Sequence, residues 1–238
     1  MNSEDAAKKF NSYVVSQGGD SRMQKVTAYG HSQKPAITIS YQTGVDVSDI
    51  SEKLANTLQK SELKERQPWT VFNQQLVEKA LDEQHWPKEL AEKITEDKRF
   101  FIDELMDELC GLRPPSWVLV PQVVETILNL AVTGCAILVG HGTTVITARM
   151  SNVFHVRLTG SLPKRIERVQ RLRSPTTEAA AKFIRKEDRG RERFVKAYFH
   201  ARLENELLYD LTVNTDRISN DDAVAVIAAT AQRFFSTR

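Results

Sequence analysis

Residues Cys135-Ala136-Ile137-Leu138-Val139 form an apolar run with no polar alternation. A strand with one wet face alternates apolar and polar side chains. A run such as this one needs cover on both faces, which is the situation of a strand inside a parallel sheet packed between helices. Other segments meet that demand. Ala36-Ile37-Thr38-Ile39-Ser40 is a second short run with β-branched residues, and 69–73, 153–158 and 211–213 supply three more candidate strands. Between and after them apolar residues recur at helical spacing. They do so at Ile50, Leu54, Ala55 and Leu58, over Val118–Val132 before Gly134, over Leu162–Arg173, over Thr176–Glu204, and in a last helix beginning at Ser219. Strands alternating with helices predict an α/β chain: a parallel five-stranded sheet in three layers.

At 238 residues the chain has the length for one such domain with a sizeable core. Residues 1–34 are polar and interrupted by Gly18-Gly19-Asp20, so they read as a loosely attached leader to a domain spanning 35–238. Residues 73–133 carry mostly amphipathic helical segments with breaks at Gly111 and Pro114-Pro115, and read as a helical insertion at one edge of the sheet. No apolar stretch approaches the ~18 residues of a membrane span, and the N-terminus has no secretory h-region. Cys110 and Cys135 lack metal-ligand spacing and are expected to be reduced thiols of a cytoplasmic protein. His31, His85, His155 and His200 likewise show no metal spacing and read as structural or surface residues. Trp69, Trp86 and Trp117 read as packing residues rather than base-stacking ones.

Charge is concentrated in one place. Lys164–Arg202 holds thirteen Lys and Arg against five acids, a net +8 in a chain of net +2, so the remainder carries −6. Such a field attracts an anion. A nucleotide or another phosphorylated small molecule suits it. A nucleic-acid partner is not expected, because Glu167, Glu178, Glu187, Asp188 and Glu192 interrupt the cations, aromatics are few, and the chain is nearly neutral. The plainer alternative is a solvated, salt-bridged helical surface. Oligomeric state leaves no mark in the sequence.

Five ordered segments carry a family resemblance: Ile37-Thr38-Ile39-Ser40 followed by Gly44; Ile137-Leu138-Val139-Gly140-His141-Gly142; His155-Val156-Arg157-Leu158 with Lys164-Arg165-Ile166; Asp188-Arg189-Gly190-Arg191; and Tyr209-Asp210-Leu211 with Asn214-Thr215-Asp216. In this order the chain resembles the P-loop nucleoside monophosphate kinases, most closely the cytidylate-kinase-like family. The resemblance implies a P-loop kinase-like fold with an Arg-rich lid over 160–203. It also implies ATP and Mg²⁺ as cofactors, and transfer of a phosphoryl group to a nucleoside monophosphate. In that picture Gly44 and Ser48 belong to the donor loop, with Ser48 on the metal. Gly140 and His141 lie near the acceptor. Arg165, Arg168 and Arg191 neutralise phosphoryl charge, and Asp188 recognises the nucleoside.

The loop departs from the family pattern. Against G-x-x-x-x-G-K-[ST], Tyr41 stands at the first Gly, Asp46 at the second and Val47 at the Lys, leaving Gly44 and Ser48 favourable. Val45 and Val47 are β-branched and poorly suited to φ > 0. A carboxylate at Asp46 about 4 Å from a phosphate is repelled by roughly 4 kcal/mol at an effective dielectric of 20, about a thousandfold in affinity. Asp46 escapes that conflict if it caps the following helix. His141 stands where the family has Arg. Two readings follow: a nucleotide kinase, or a catalytically impaired relative that binds a nucleotide or another phosphorylated ligand.

Overall fold

A computed structural model describes residues 34–60, 68–73, 120–140 and 142–237. Five strands, β1 (Ala36–Tyr41), β2 (Thr70–Phe72), β3 (Ala136–Val139), β4 (Val153–Thr159) and β5 (Leu211–Asn214), form one sheet in the order β2-β3-β1-β4-β5. Every pairing is parallel. The helices are α1 (Val47–Gln59), α2 (Val120–Thr133), α3 (Thr143–Ile146), α4 (Leu162–Arg173), α5 (Thr177–Phe199) and α6 (Asn220–Ser236). All five expected strands are therefore present. The expected leader and most of the expected 73–133 insertion lie outside the described residues, as do Cys110, Trp86, Trp117, His31, His85 and His141. No helix among the described residues is long and apolar enough to cross a membrane.

The apolar run at β3 is explained by the two-residue period of a strand. Ile37, Ile39, Ile137, Val139, Phe154, Val156 and Leu158 enter one core with Ile50, Leu54 and Leu58 of α1 and Val224 and Ile227 of α6. Their neighbours Ala36, Ala136, Leu138 and Val153 enter a second core with Ile127, Leu130 and Ala131 of α2. Both faces of β3 are dry, so its run carries no polar residue, and the polar Thr38 and Ser40 of β1 and His155 of β4 are buried. A smaller cluster of Val169, Ala180 and Ile184 joins α4 to α5.

Helix ends follow local chemistry. Asp46 caps α1, accepting from the Asp49 amide at 3.4 Å. Ser219 caps α6, accepting from the Asp222 amide at 3.1 Å while its hydroxyl meets the Asp222 carboxylate at 2.6 Å. The helix expected to run to Glu204 ends at Phe199 instead. His200 adopts a left-handed conformation (φ +51°) and its amide closes on the Lys196 carbonyl. Histidine enters that region more readily than β-branched residues do, and no glycine advertises the stop.

A polar group is buried among these strands. His155 Nδ1 lies 2.8 Å from the Thr38 hydroxyl, which in turn is 3.2 Å from that of Thr144. The His155 amide donates to Asp210 at 2.8 Å. Burial pushes the imidazole pKa below its usual range, against a smaller upward pull from Asp210. Below pH 6.5 the unfolded chain therefore takes up a proton that the folded chain resists, and stability falls as pH drops through that value. The unfolding free energy from urea titration is expected to decrease between pH 7.5 and 5.5. The decrease is expected to be smaller in His155→Asn, which keeps a hydrogen-bonding group near Thr38 without the titration.

Candidate functional site

The loops leaving β1 and β3 diverge. The β1–α1 loop turns toward the α1/α6 layer, while the β3–α3 loop turns toward the layer containing Ile146 and α2. A crevice outside the carboxyl ends of two such strands is where open α/β sheets hold ligands. Helix α5 crosses this edge. Its Phe199 ring would come within 3.0 Å of a Cβ on Gly142, and Asp188 and Arg191 reach the β1–α1 loop.

The β1–α1 loop is shaped by one glycine. Gly44 has φ +92°, and a Cβ there would lie 2.7 Å from the Arg165 carbonyl oxygen and 2.9 Å from Arg165 Cβ. Only glycine satisfies both the backbone conformation and that close approach. Its neighbour Thr43 is buried and turned toward α5.

The centre of the site is the Asp188 carboxylate. Its Oδ1 accepts from the Thr43 amide at 2.9 Å and from the Thr43 hydroxyl at 2.7 Å. Its Oδ2 meets Arg165 Nη1 at 2.6 Å, and Arg191 Nη1 stands 3.6 Å from Oδ1. Arg165 is buried, and also donates through Nε to the Gly160 carbonyl at 2.9 Å and through Nη1 to that of Thr43 at 3.2 Å. Arg191 donates to the Tyr41 carbonyl at 3.0 Å and stacks 4.6 Å over the Tyr41 ring. Its Nε is buried without a hydrogen-bond partner. A backbone amide, a hydroxyl and two guanidiniums thus converge on one carboxylate, a donor set suited to an oxyanion.

The rest of the loop is turned inward. The Val45 amide donates to the Gln42 carbonyl at 3.1 Å and the Val47 amide to that of Val45 at 2.9 Å. Val45 and Val47 are buried in the α1 core, and Asp46 caps α1. Ser48 is exposed in the first turn of α1, with its carbonyl accepting from the Ser51 hydroxyl at 3.2 Å.

Beyond Asp188, one turn further along α5, a cavity of about 480 Å³ is lined by Glu192, Lys196, Ala201, Arg202, Leu203 and Glu204. Partial burial and then the nearby Glu204 push the Glu192 carboxyl above its usual range. Arg157 anchors the wall of this cavity, donating to the Leu203 carbonyl and, at 2.7 Å, to the Tyr209 hydroxyl.

A family model described as the cytidylate kinase-like family matches residues 36–217. The chain belongs to the cytidylate kinase-like family. The match runs from the first residue of β1 to the turn after β5, and so takes in the loop, α4, α5 and Asp188. The crystal structure of an uncharacterized protein from Eubacterium ventriosum ATCC 27560 is similar, with TM-score 0.60 and 16% identity, covering 84% of this chain and 99% of that one. A shikimate kinase from Bacteroides thetaiotaomicron aligns with TM-score 0.46 and 13% identity, covering 83% and 98%. None of the curated proteins matches the sequence.

Of the residues singled out from sequence, Gly44, Arg165, Asp188 and Arg191 are brought together. Arg168 is held elsewhere, giving Nη1 to the Thr215 hydroxyl at 3.1 Å and Nη2 to the Thr215 carbonyl at 2.7 Å. Gly140 ends β3 with φ +143° and open space beside it, and His141 lies outside the described residues. Thr43 is the participant that sequence reasoning missed; its position beside the loop glycine is the one signal that pointed there. Gly44→Ala is expected to lower unfolding free energy by about 2–3 kcal/mol, combining positive-φ strain with a backbone clash. Urea titration measures it.

Proposed function

We propose that this chain binds a phosphorylated small molecule, a nucleoside monophosphate or a similar phosphomonoester, in the crevice beneath α5, and that phosphoryl transfer from ATP is impaired. The observation that carries this reading is the seat of the Asp188 carboxylate on Thr43, Arg165 and Arg191. A phosphate dianion offers more acceptor oxygens than a carboxylate. It would compete for the same donors and add the unused Nε of Arg191. The adjoining cavity, with Lys196 and Arg202 on its wall, suits the remainder of such a ligand.

The donor side supports impairment. A triphosphate with Mg²⁺ needs free loop amides and a lysine. Here the amides of Thr43, Val45 and Val47 are spent internally, a buried Val47 replaces the lysine, and a carboxylate occupies the α1 cap. The loop does not fit ATP–Mg²⁺. An active nucleotide kinase is the second reading, favoured by Arg165 and Arg191 standing beside the loop where phosphoryl oxygens would gather charge. Under it, Ser48 holds the metal, Gly140 and His141 face the acceptor, and Asp188 contacts the nucleoside.

Calorimetry with CMP, a panel of other phosphomonoesters and ATP–Mg²⁺ separates the two. On the first reading a monophosphate binds, and Asp188→Asn tightens it by about tenfold because the competing charge is gone, about 1.4 kcal/mol. ATP–Mg²⁺ then binds more weakly than about 1 mM, a free energy of roughly −4 kcal/mol. Micromolar ATP–Mg²⁺ affinity with turnover, and a monophosphate affinity weakened by Asp188→Asn, would instead establish the kinase. Failure of both proteins to bind any phosphomonoester overturns the site itself.

A further inference from the structure

The outward face of α5 is a continuous cationic stripe. Lys182, Arg185, Lys186, Arg189, Arg193 and Lys196 are all exposed. At 3.6 residues per turn they fall within an arc of about 100° and run for about 21 Å of helix. The opposite face buries Ala180, Ile184 and Val195. Exposed Arg171 and Arg173 extend the stripe where α4 turns into α5, with Arg173 lying 4.8 Å over the Phe183 ring of α5.

The acids that interrupt these cations in sequence do not interrupt them in space. Asp188 points inward to Thr43. Glu187 is half-buried and lies off the arc, about 100° from its nearest edge. Glu192 sits beside Glu204 at the cavity, at the arc's edge. Glu178 alone shares the arc, in the first turn, where a carboxylate favours the helix dipole.

Helix stability does not explain the stripe. Lys182/Lys186, Arg185/Arg189 and Arg189/Arg193 are like-charge pairs at i,i+4, each costing the helix a few tenths of a kcal/mol. Among the described residues, Lys182, Arg185, Lys186 and Arg189 have no acid within ion-pair distance.

We infer that this face of α4 and α5 docks on the phosphodiester backbone of a nucleic acid. A straight row of cations matches a linear polyanion, and its guanidiniums match phosphate oxygens. The arc from Lys182 to Lys196 contains no apolar side chain to bury in a lipid surface and no aromatic to stack on a base. Contact is therefore with phosphates, and base sequence is not read. The surface meets the cavity only at Lys196, and Lys182, Arg185, Lys186, Arg189 and Arg193 lie outside its lining.

The test uses the full chain with fluorescein-labelled 24-base-pair DNA and RNA duplexes of unrelated sequence, read by anisotropy at several salt concentrations. The expected result is micromolar binding at about 50 mM salt, equal within a few-fold across sequences, with a log–log salt slope near −5. Arg185→Glu/Arg189→Glu/Arg193→Glu is expected to weaken binding at least thirtyfold and to flatten the slope by about 3. It should shift the melting temperature by no more than a few degrees, because all three side chains are exposed. The charge-matched control Lys60→Glu/Arg217→Glu/Arg233→Glu, exposed but elsewhere, is expected to change affinity less than threefold. No duplex binding at 50 mM salt overturns the inference. So does an equal loss in the control, or binding to anionic phosphatidylserine vesicles without binding to either duplex.

Discussion

The carboxylate of Asp188, seated on the amide and hydroxyl of Thr43 and paired with Arg165 at 2.6 Å, ties together parts of the chain that share no secondary structure. It joins the first strand's loop to two helices more than a hundred residues later. Removing charges from water is costly, and a part-buried pair is retained only where its remaining hydrogen bonds are satisfied. Here they are: Arg165 also reaches the carbonyls of Gly160 and Thr43, and Thr43 meets Asp188 with both of its donors. Gly44 follows from the same arrangement, since Arg165 leaves no room for a side chain there.

The sheet supplies the rigid frame for that contact. β1 lies between β3 and β4, buried on both faces, so its carboxyl end is fixed in position and direction. α1 then leaves toward one layer and α3 toward the other, and α5 spans the gap between them. In a P-loop kinase the first loop turns its amides outward to phosphate. In this chain the Thr43, Val45 and Val47 amides are bonded within the protein, and α5 provides the anion that Thr43 meets.

Much of the fold was legible in the sequence because periodicity is a local signal: the apolar run at β3 demanded burial on two sides, and the β-branched run at β1 marked a strand. The end of α5 was not legible, since His200 stops the helix without a glycine. Arg165 and Arg168 looked equivalent on the helix spacing, yet one faces the loop and the other Thr215. Helical phase alone does not say which neighbour each will meet. Thr43 gave little warning of its role, because its partner is 145 positions away and threonine in a loop is ordinary. The acids of α5 posed the opposite problem: in sequence they seemed to neutralise the cations, and folding moved Asp188 to the other side of the helix. The ATP and Mg²⁺ implied by the family rested on a loop whose valines pack inward.

Asp188 and Arg165 act as one energetic unit that holds α4 and α5 together against Thr43 of the first loop. A double-mutant cycle between them, with Asp188→Ala, Arg165→Ala and the double variant each unfolded in urea, tests it most directly. A coupling energy of about 2 kcal/mol or more is predicted, because either single change leaves a part-buried charge without its partner. A coupling below about 0.5 kcal/mol, the scale of independent sites, would contradict the account.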